Sequence, residues 1–169
     1  MVPLEPDALE PALYRELRSA ARAALRAERP NHTLCPTELV HEAWSRLMGR
    51  IPATTNLKAR MAVEFRRVLI DYARSRGAAK RGGGRVRAAI DPEEPLVGGM
   101  TLPELVSLHE CLHDLAALSP RQAQIVELRY FGGMSNPEIA SQLEVSVRTV
   151  EASFRMAKAW LFHRLSERA

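Results

Sequence analysis

The residues best suited to chemistry in this chain are those that could read nucleic-acid bases: Arg148, Thr149, Ala152 and Arg155. From Ser146 onward, Val147, Val150, Phe154, Ala157, Leu161 and Leu165 recur at steps of three and four, which predicts one amphipathic helix with a single apolar stripe. At about 100° per residue the opposite side carries Arg148, Thr149, Ala152, Arg155, Met156 and Ala159, with Lys158 as a further cation. Arginine can donate two hydrogen bonds to guanine, threonine serves several bases, and alanine permits close approach or touches a thymine methyl. The polar residues gather toward the N-terminal end, where a helix lying in the major groove makes its base contacts.

A second group of candidates is cationic. Residues 57–90 carry ten Lys and Arg against Glu64 and Asp71, net +8, inside a chain whose total charge is only +4. If Met61, Phe65, Val68, Leu69 and Tyr72 point inward on a helix, Arg60, Arg66, Arg67, Arg74 and Arg76 are left outside, and Lys80 and Arg81 extend the block. Like charges at this spacing repel unless something neutralises them, and phosphates would do so. An acidic protein or an anionic lipid surface is the alternative partner. The segment 91–118 that follows has six acids and no Lys or Arg, net −6, and Asp91, Glu93 and Glu94 are placed to compete with phosphates for the basic helix.

Enzyme chemistry finds little support. His109 and His113 share a helical face, but Cys111 points elsewhere and no second Cys/His pair is near, so ordinary surface histidines with a buried thiol are expected instead of zinc. The triple glycine Gly82-Gly83-Gly84 is followed by Arg-Val, not by the Lys-Ser or Lys-Thr of a phosphate-binding loop. Glu93-Glu94 sit in a stretch without periodicity, which cannot hold a general acid and base at fixed distance. No catalytic set, metal or cofactor is expected.

The elements that must carry these residues all read as helices. Ser135 and Glu138 form a capping box with Pro137 in the first turn, so a helix starts there; Ile139, Ala140 and Leu143 line its inner side. Glu144-Val145 turns the chain and Ser146 caps the longer helix. The turn position that commonly holds glycine holds Glu144, and a left-handed backbone there costs on the order of 1 kcal/mol. Upstream, Leu13, Leu17, Ala20, Ala21 and Ala24 predict a helix from Ala8 to about Arg29. Pro36 opens another, with Leu39, Val40, Ala43, Trp44 and Leu47 inside and Glu38, His41, Glu42, Ser45 and Arg46 outside, either solvated or docked on a partner. Leu105, Leu108, Leu112 and Leu115 mark a further helix, and Ser119-Pro120 caps one with Gln122 as box partner before Gly132-Gly133 stops it. Pro92, Pro95, Gly98, Gly99 and Pro103 punctuate a linker.

With 46% apolar and 5% aromatic residues, the chain reads as all-α: two small helical domains, 1–84 and 104–169, joined by a flexible linker over 85–103, the second holding a helix-turn-helix. No apolar run approaches about 18 residues and no signal peptide is evident, so a soluble, cytoplasmic protein without membrane contact is expected.

Three stretches, ERPNHTLCPTELVHEAWSRL, FRRVLIDYARSRGAAKRGGG and LSPRQAQIVELRYFGGMSNPEIASQLEVSVRTVEASFRMAKAWL, in that order, resemble the signatures of one branch of the extracytoplasmic-function (ECF) sigma factors of bacterial RNA polymerase. The resemblance implies a promoter-specificity subunit that is not itself an enzyme, with core polymerase and promoter DNA as partners and an inhibitory anti-sigma protein as a further one. It implies that Glu38, His41, Glu42 and Arg46 grip polymerase. It implies that Arg66, Arg67, Asp71, Tyr72 and Arg74 open and read the downstream promoter element, with a break in the helix near Phe65 to Val68. Ser146, Arg148, Thr149, Ala152 and Arg155 would read the upstream element. Phe154 stands where this branch usually has Trp. The alternatives are a stand-alone helix-turn-helix regulator, which would need a sensor or receiver domain in residues 1–80, and an enzyme acting on nucleic acid.

Overall fold

In the computed structural model, residues 11–25, 34–47, 56–79 and 102–168 are described, the side chains of 76–79 and 102–103 excepted. The described residues form helices and no strand: α1 (Pro11–Leu25), α2 (Pro36–Leu47), α3 (Leu57–Ala79), α4 (Leu102–Leu118), α5 (Pro120–Tyr130), α6 (Asn136–Leu143) and α7 (Val147–Glu167). The fold is therefore all-α.

The starts of α2, α6 and α7 follow their capping chemistry. Glu38 reaches back to accept from the Cys35 N–H at 2.7 Å, which opens α2. The Ser135 side chain accepts from the Glu138 N–H while Glu138 accepts from the Ser135 N–H, completing the expected box at α6. Ser146 accepts from the Thr149 N–H at 3.1 Å at the start of α7. At α5 the expected box is not formed: Ser119 occupies the N-cap position but its side chain makes no capping bond, and Pro120 at the first position starts the helix. Backbone geometry explains this, since Ser119 has ψ near 88°, short of the extended values of Ser135 and Ser146.

Helix α3 is the axis of the fold. It packs on α1 and α2 on one side and on α4 and α5 on the other, while α7 is held by α4, α5 and α6. The break expected near Phe65 to Val68 is absent, and α3 runs unbroken from Leu57 to Ala79. Phe65, Val68 and Leu69 are all buried at helical spacing, and the segment holds no Gly or Pro before Gly77. Arg66 also departs from expectation, since it lies half-buried instead of on an outer face. The reason is that α3 has a second covered side, on which Ala62, Arg66, Ile70 and Ala73 follow at helical steps, Ala62, Ile70 and Ala73 being buried. The buried residues of α1 through α7 form one contiguous core.

Glu144 takes the left-handed backbone at φ 54°, ψ 43°, and the Val145 N–H bonds back to the Ala140 carbonyl at 3.0 Å, closing α6. The turn keeps the geometry that glycine usually supplies. Glu144→Gly is accordingly expected to raise stability by up to about 1 kcal/mol, read as a higher midpoint in urea unfolding at constant slope. An unchanged or lower midpoint would show that loss of chain entropy cancels the relief of strain.

Candidate nucleic-acid and polymerase interfaces

On α7, Val150, Ala157, Leu161 and Leu165 are buried and Phe154 is half-buried, whereas Val147 is 38% exposed, so the apolar stripe begins one turn later than its spacing predicts. The Phe154 ring lies 5.7 Å from Tyr130, and the Arg129 guanidinium sits 4.8 Å above it, so the position retains an aromatic core contact. Opposite the stripe, Arg148, Ala152 and Arg155 are exposed and share one face at i, i+4 and i+7. Arg148 and Arg155 have no ion-pair or hydrogen-bond partner among the described residues and stand about 10 Å apart along the axis at 1.5 Å per residue. Thr149 is half-buried and its hydroxyl lies 2.8 Å from that of Ser146, so both are engaged in capping the helix. Lys158 is half-buried farther along. Among the described residues, the α7 face is thus open and cationic.

A groove between α2 and α3 gathers Glu38, His41, Glu42 and Arg46 from one helix and Val68, Asp71 and Tyr72 from the other, with a volume near 620 Å³. Arg46 bridges its walls, bonding Glu42 at 3.0 Å and Asp71 at 2.6 Å. Two sets of residues expected to serve different partners therefore share one wall-to-wall site. Glu38 is held below the usual carboxylate range by the Cys35 N–H, so it is ionised while it caps α2. Arg67 is exposed and donates to the buried Glu64 at 2.6 Å, and Arg74 is exposed. Lys80 and Arg81 lie outside the described residues, as do the side chain of Arg76 and the acids Asp91, Glu93 and Glu94.

Arg66 is engaged from the other side. Its Nε donates to Glu127 of α5 at 2.6 Å, and its Nη1 lies 2.8 Å from His109 Nδ1 of α4. Because the guanidinium can only donate, Nδ1 must be the accepting nitrogen of a neutral imidazole. Burial lowers the His109 pKa, and the nearby Arg66, Arg74 and His113 lower it further, so that neutral form prevails at pH 7. His113 is exposed and Cys111 is buried, with its thiol pKa pushed up by burial. Among the described residues no group of His, Cys, Asp and Glu could hold a metal ion.

Lys58 extends between α1 and α6, 2.7 Å from Glu138 and 3.9 Å from Glu16. Together with the Ser135 cap, Lys58 holds the Glu138 carboxyl at about 2, down from an ordinary 4.5. A depressed carboxylate contributes stability in full above its ordinary value, and here that contribution is lost as pH falls from 4.5 toward 2.

A family model of ECF sigma factors matches residues 5–167. The chain belongs to the ECF sigma factor family. No match was found among curated proteins or among solved structures. As an ECF sigma factor it is a promoter-specificity subunit of RNA polymerase, whose partners are the polymerase core and promoter DNA and whose role is regulatory. No described helix of the sigma factor is long and apolar enough to cross a membrane. Sequence reasoning missed Glu127 and the accepting role of His109. Glu127 lies in an ordinary amphipathic run between Val126 and Leu128, and nothing local marks its partner 61 residues away.

Proposed function

We propose that the sigma factor divides its work between two surfaces. Residues 1–84 grip the polymerase core through Glu38, His41, Glu42 and Arg46, and open and read the downstream element through Arg66, Arg67, Asp71, Tyr72 and Arg74, with Arg76, Lys80 and Arg81 on phosphates. Residues 104–169 carry a helix-turn-helix, α6 and α7, in which Ser146, Arg148, Thr149, Ala152, Arg155 and Lys158 meet the upstream element, and 85–103 link the two. The observation that carries this reading is the α7 face: two arginines about two turns apart, exposed and unpaired among the described residues, on a helix whose other side is locked into the core. The site of action is cytoplasmic, and an anti-sigma protein covering either surface would silence the factor. Transcription by core polymerase on a pool of genomic promoter fragments tests it. Start sites that appear only when the protein is added are expected; identical transcripts with and without it would overturn the reading.

The α2–α3 groove yields a narrower test. Glu42→Lys keeps Arg46 paired with Asp71 and exchanges an exposed i,i+4 ion pair for a like-charge one, so folding stability should change by no more than about 1 kcal/mol. Affinity for core polymerase should fall by about 1 kcal/mol or more if the groove is the docking surface. Core binding at wild-type strength would return Glu42 to solvent.

A further inference from the structure

One acid stands among the arginines of α7. Glu151 is exposed, three residues after Arg148 and four before Arg155, the spacings at which side chains on a helix meet. Both arginines are placed to pair with it, yet among the described residues Glu151 bonds neither. Its carboxylate instead accepts a long hydrogen bond from Asn136 Nδ2, 3.5 Å away at the start of α6. Asn136 is itself fixed, because its Oδ1 accepts from Arg129 Nη1 of α5. A guanidinium can only donate, so the amide must turn its oxygen to Arg129 and its amino group to Glu151. Arg129 is anchored in turn over the Phe154 ring, 4.8 Å from its centroid. This relay draws the acid aside and leaves the two arginines beside it unpaired.

Helix stability does not account for Glu151, which lies past the first turn of α7, where the pull of the helix dipole on an acid has faded. Near phosphates a carboxylate opposes binding to every sequence alike. Base edges differ in what they offer it. Cytosine presents the N4 amino group as a donor, whereas adenine sets the N7 acceptor beside its N6 amino group, and that acceptor repels a carboxylate. At 1.5 Å per residue Glu151 lies about 4.5 Å along the axis from Arg148 and about 6 Å from Arg155. These distances are on the order of one to two base-pair steps of about 3.4 Å.

We propose that Glu151 is a specificity-determining residue: its carboxylate reads the N4 amino group of a cytosine lying between the bases met by Arg148 and Arg155, and Arg129 and Asn136 are the positioning residues that hold it there. The inference rests on the reading of α7 as the helix that meets the upstream element. It adds to two cationic readers an anionic one, which selects by excluding bases that offer no donor.

The test uses core polymerase carrying the wild-type or a variant sigma factor. Promoter duplexes are taken from start sites that require the factor, and each base pair of the upstream element is replaced by the other three. Wild type is expected to prefer cytosine at one position by about tenfold. Glu151→Gln keeps an acceptor for Asn136 and should move the preference at that position to adenine, to which an amide side chain bonds twice. Glu151→Ala should lose the preference there and keep it elsewhere. Asn136→Ala lets Glu151 close on the arginines, so preference should fall at the cytosine and at the flanking positions, and adding Glu151→Gln should restore the flanking ones. Equal affinity gains on all sequences for Glu151→Gln and Glu151→Ala, with base preference unchanged at every position, would overturn the proposal. A preference for any base other than cytosine at the position that depends on Glu151 would overturn it too. Arg148→Ala and Arg155→Ala in the same assay judge the reading of α7 separately. Preference lost with them but kept with Glu151→Ala strikes the cytosine reader alone, while no change with any variant strikes α7 as the base-reading helix.

Discussion

Phe65→Ala should lower the free energy of unfolding by about 3–5 kcal/mol, the usual cost of emptying a fully buried aromatic site. Phe65 is 0% exposed and is among the largest fully buried side chains of the fold. Its helix contacts α1, α2, α4 and α5, so a void at its centre cannot be filled by the movement of one neighbour alone. Equilibrium urea unfolding of the variant measures the loss. The size of the effect discriminates between two geometries for the segment 65–68. In the unbroken helix Phe65, Val68 and Leu69 are locked in the core, whereas a loop presenting its side chains to a captured base would tolerate the truncation. A loss under about 1 kcal/mol would place Phe65 outside the core and restore the break.

That segment also shows where sequence and fold part company. The periodic reading of Met61, Phe65, Val68 and Leu69 drew one continuous helix, and the structure has one; the break came from the family resemblance and is not found. Helix starts were legible wherever a side chain announces them, as at Pro36, Ser135 with Glu138, and Ser146, because a cap is a local hydrogen bond between residues three apart. Ser119 has the same sequence sign without the bond, its ψ near 88° falling short of the extended values at Ser135 and Ser146. The second covered side of α3 was not legible. Ala62 and Ala73 are too small to mark a stripe, and Arg66 between them is read as solvent-facing by any scale of residue preference. Its burial depends on Glu127 and His109, which reach it from helices far along the chain. Periodicity reports that a face is apolar; it carries no information about a partner that satisfies a charge. The α7 face was legible for the opposite reason, because an exposed face needs no partner and follows from the stripe behind it.

Arg148→Ala should cost about 1–3 kcal/mol in promoter affinity, and the loss should fall on one base pair of the upstream element. The residue follows Val147 at the N-terminal end of α7, exposed and without an ion-pair or hydrogen-bond partner among the described residues, so its removal breaks nothing in the fold and its energy is available to DNA. The position is suited to base contact in a way that Thr149 is not. The Thr149 hydroxyl is already paired with Ser146, and releasing it would give up part of the cap before any base bond is gained. Ala152, one turn on, leaves room for the helix to approach. Arg155 lies about 10 Å farther along the axis, and its own substitution should change preference at a different base pair, in proportion to that separation. Affinities for a matched promoter and for single-base variants of it, each measured across a salt series, separate the two ways an arginine can act. A base reader lost from the matched site leaves variants at that one position bound as before, and specificity there collapses. A phosphate contact weakens every sequence alike and lowers the salt slope by about 1. Equal losses on matched and altered promoters would assign Arg148 to the backbone and move base reading elsewhere on α7.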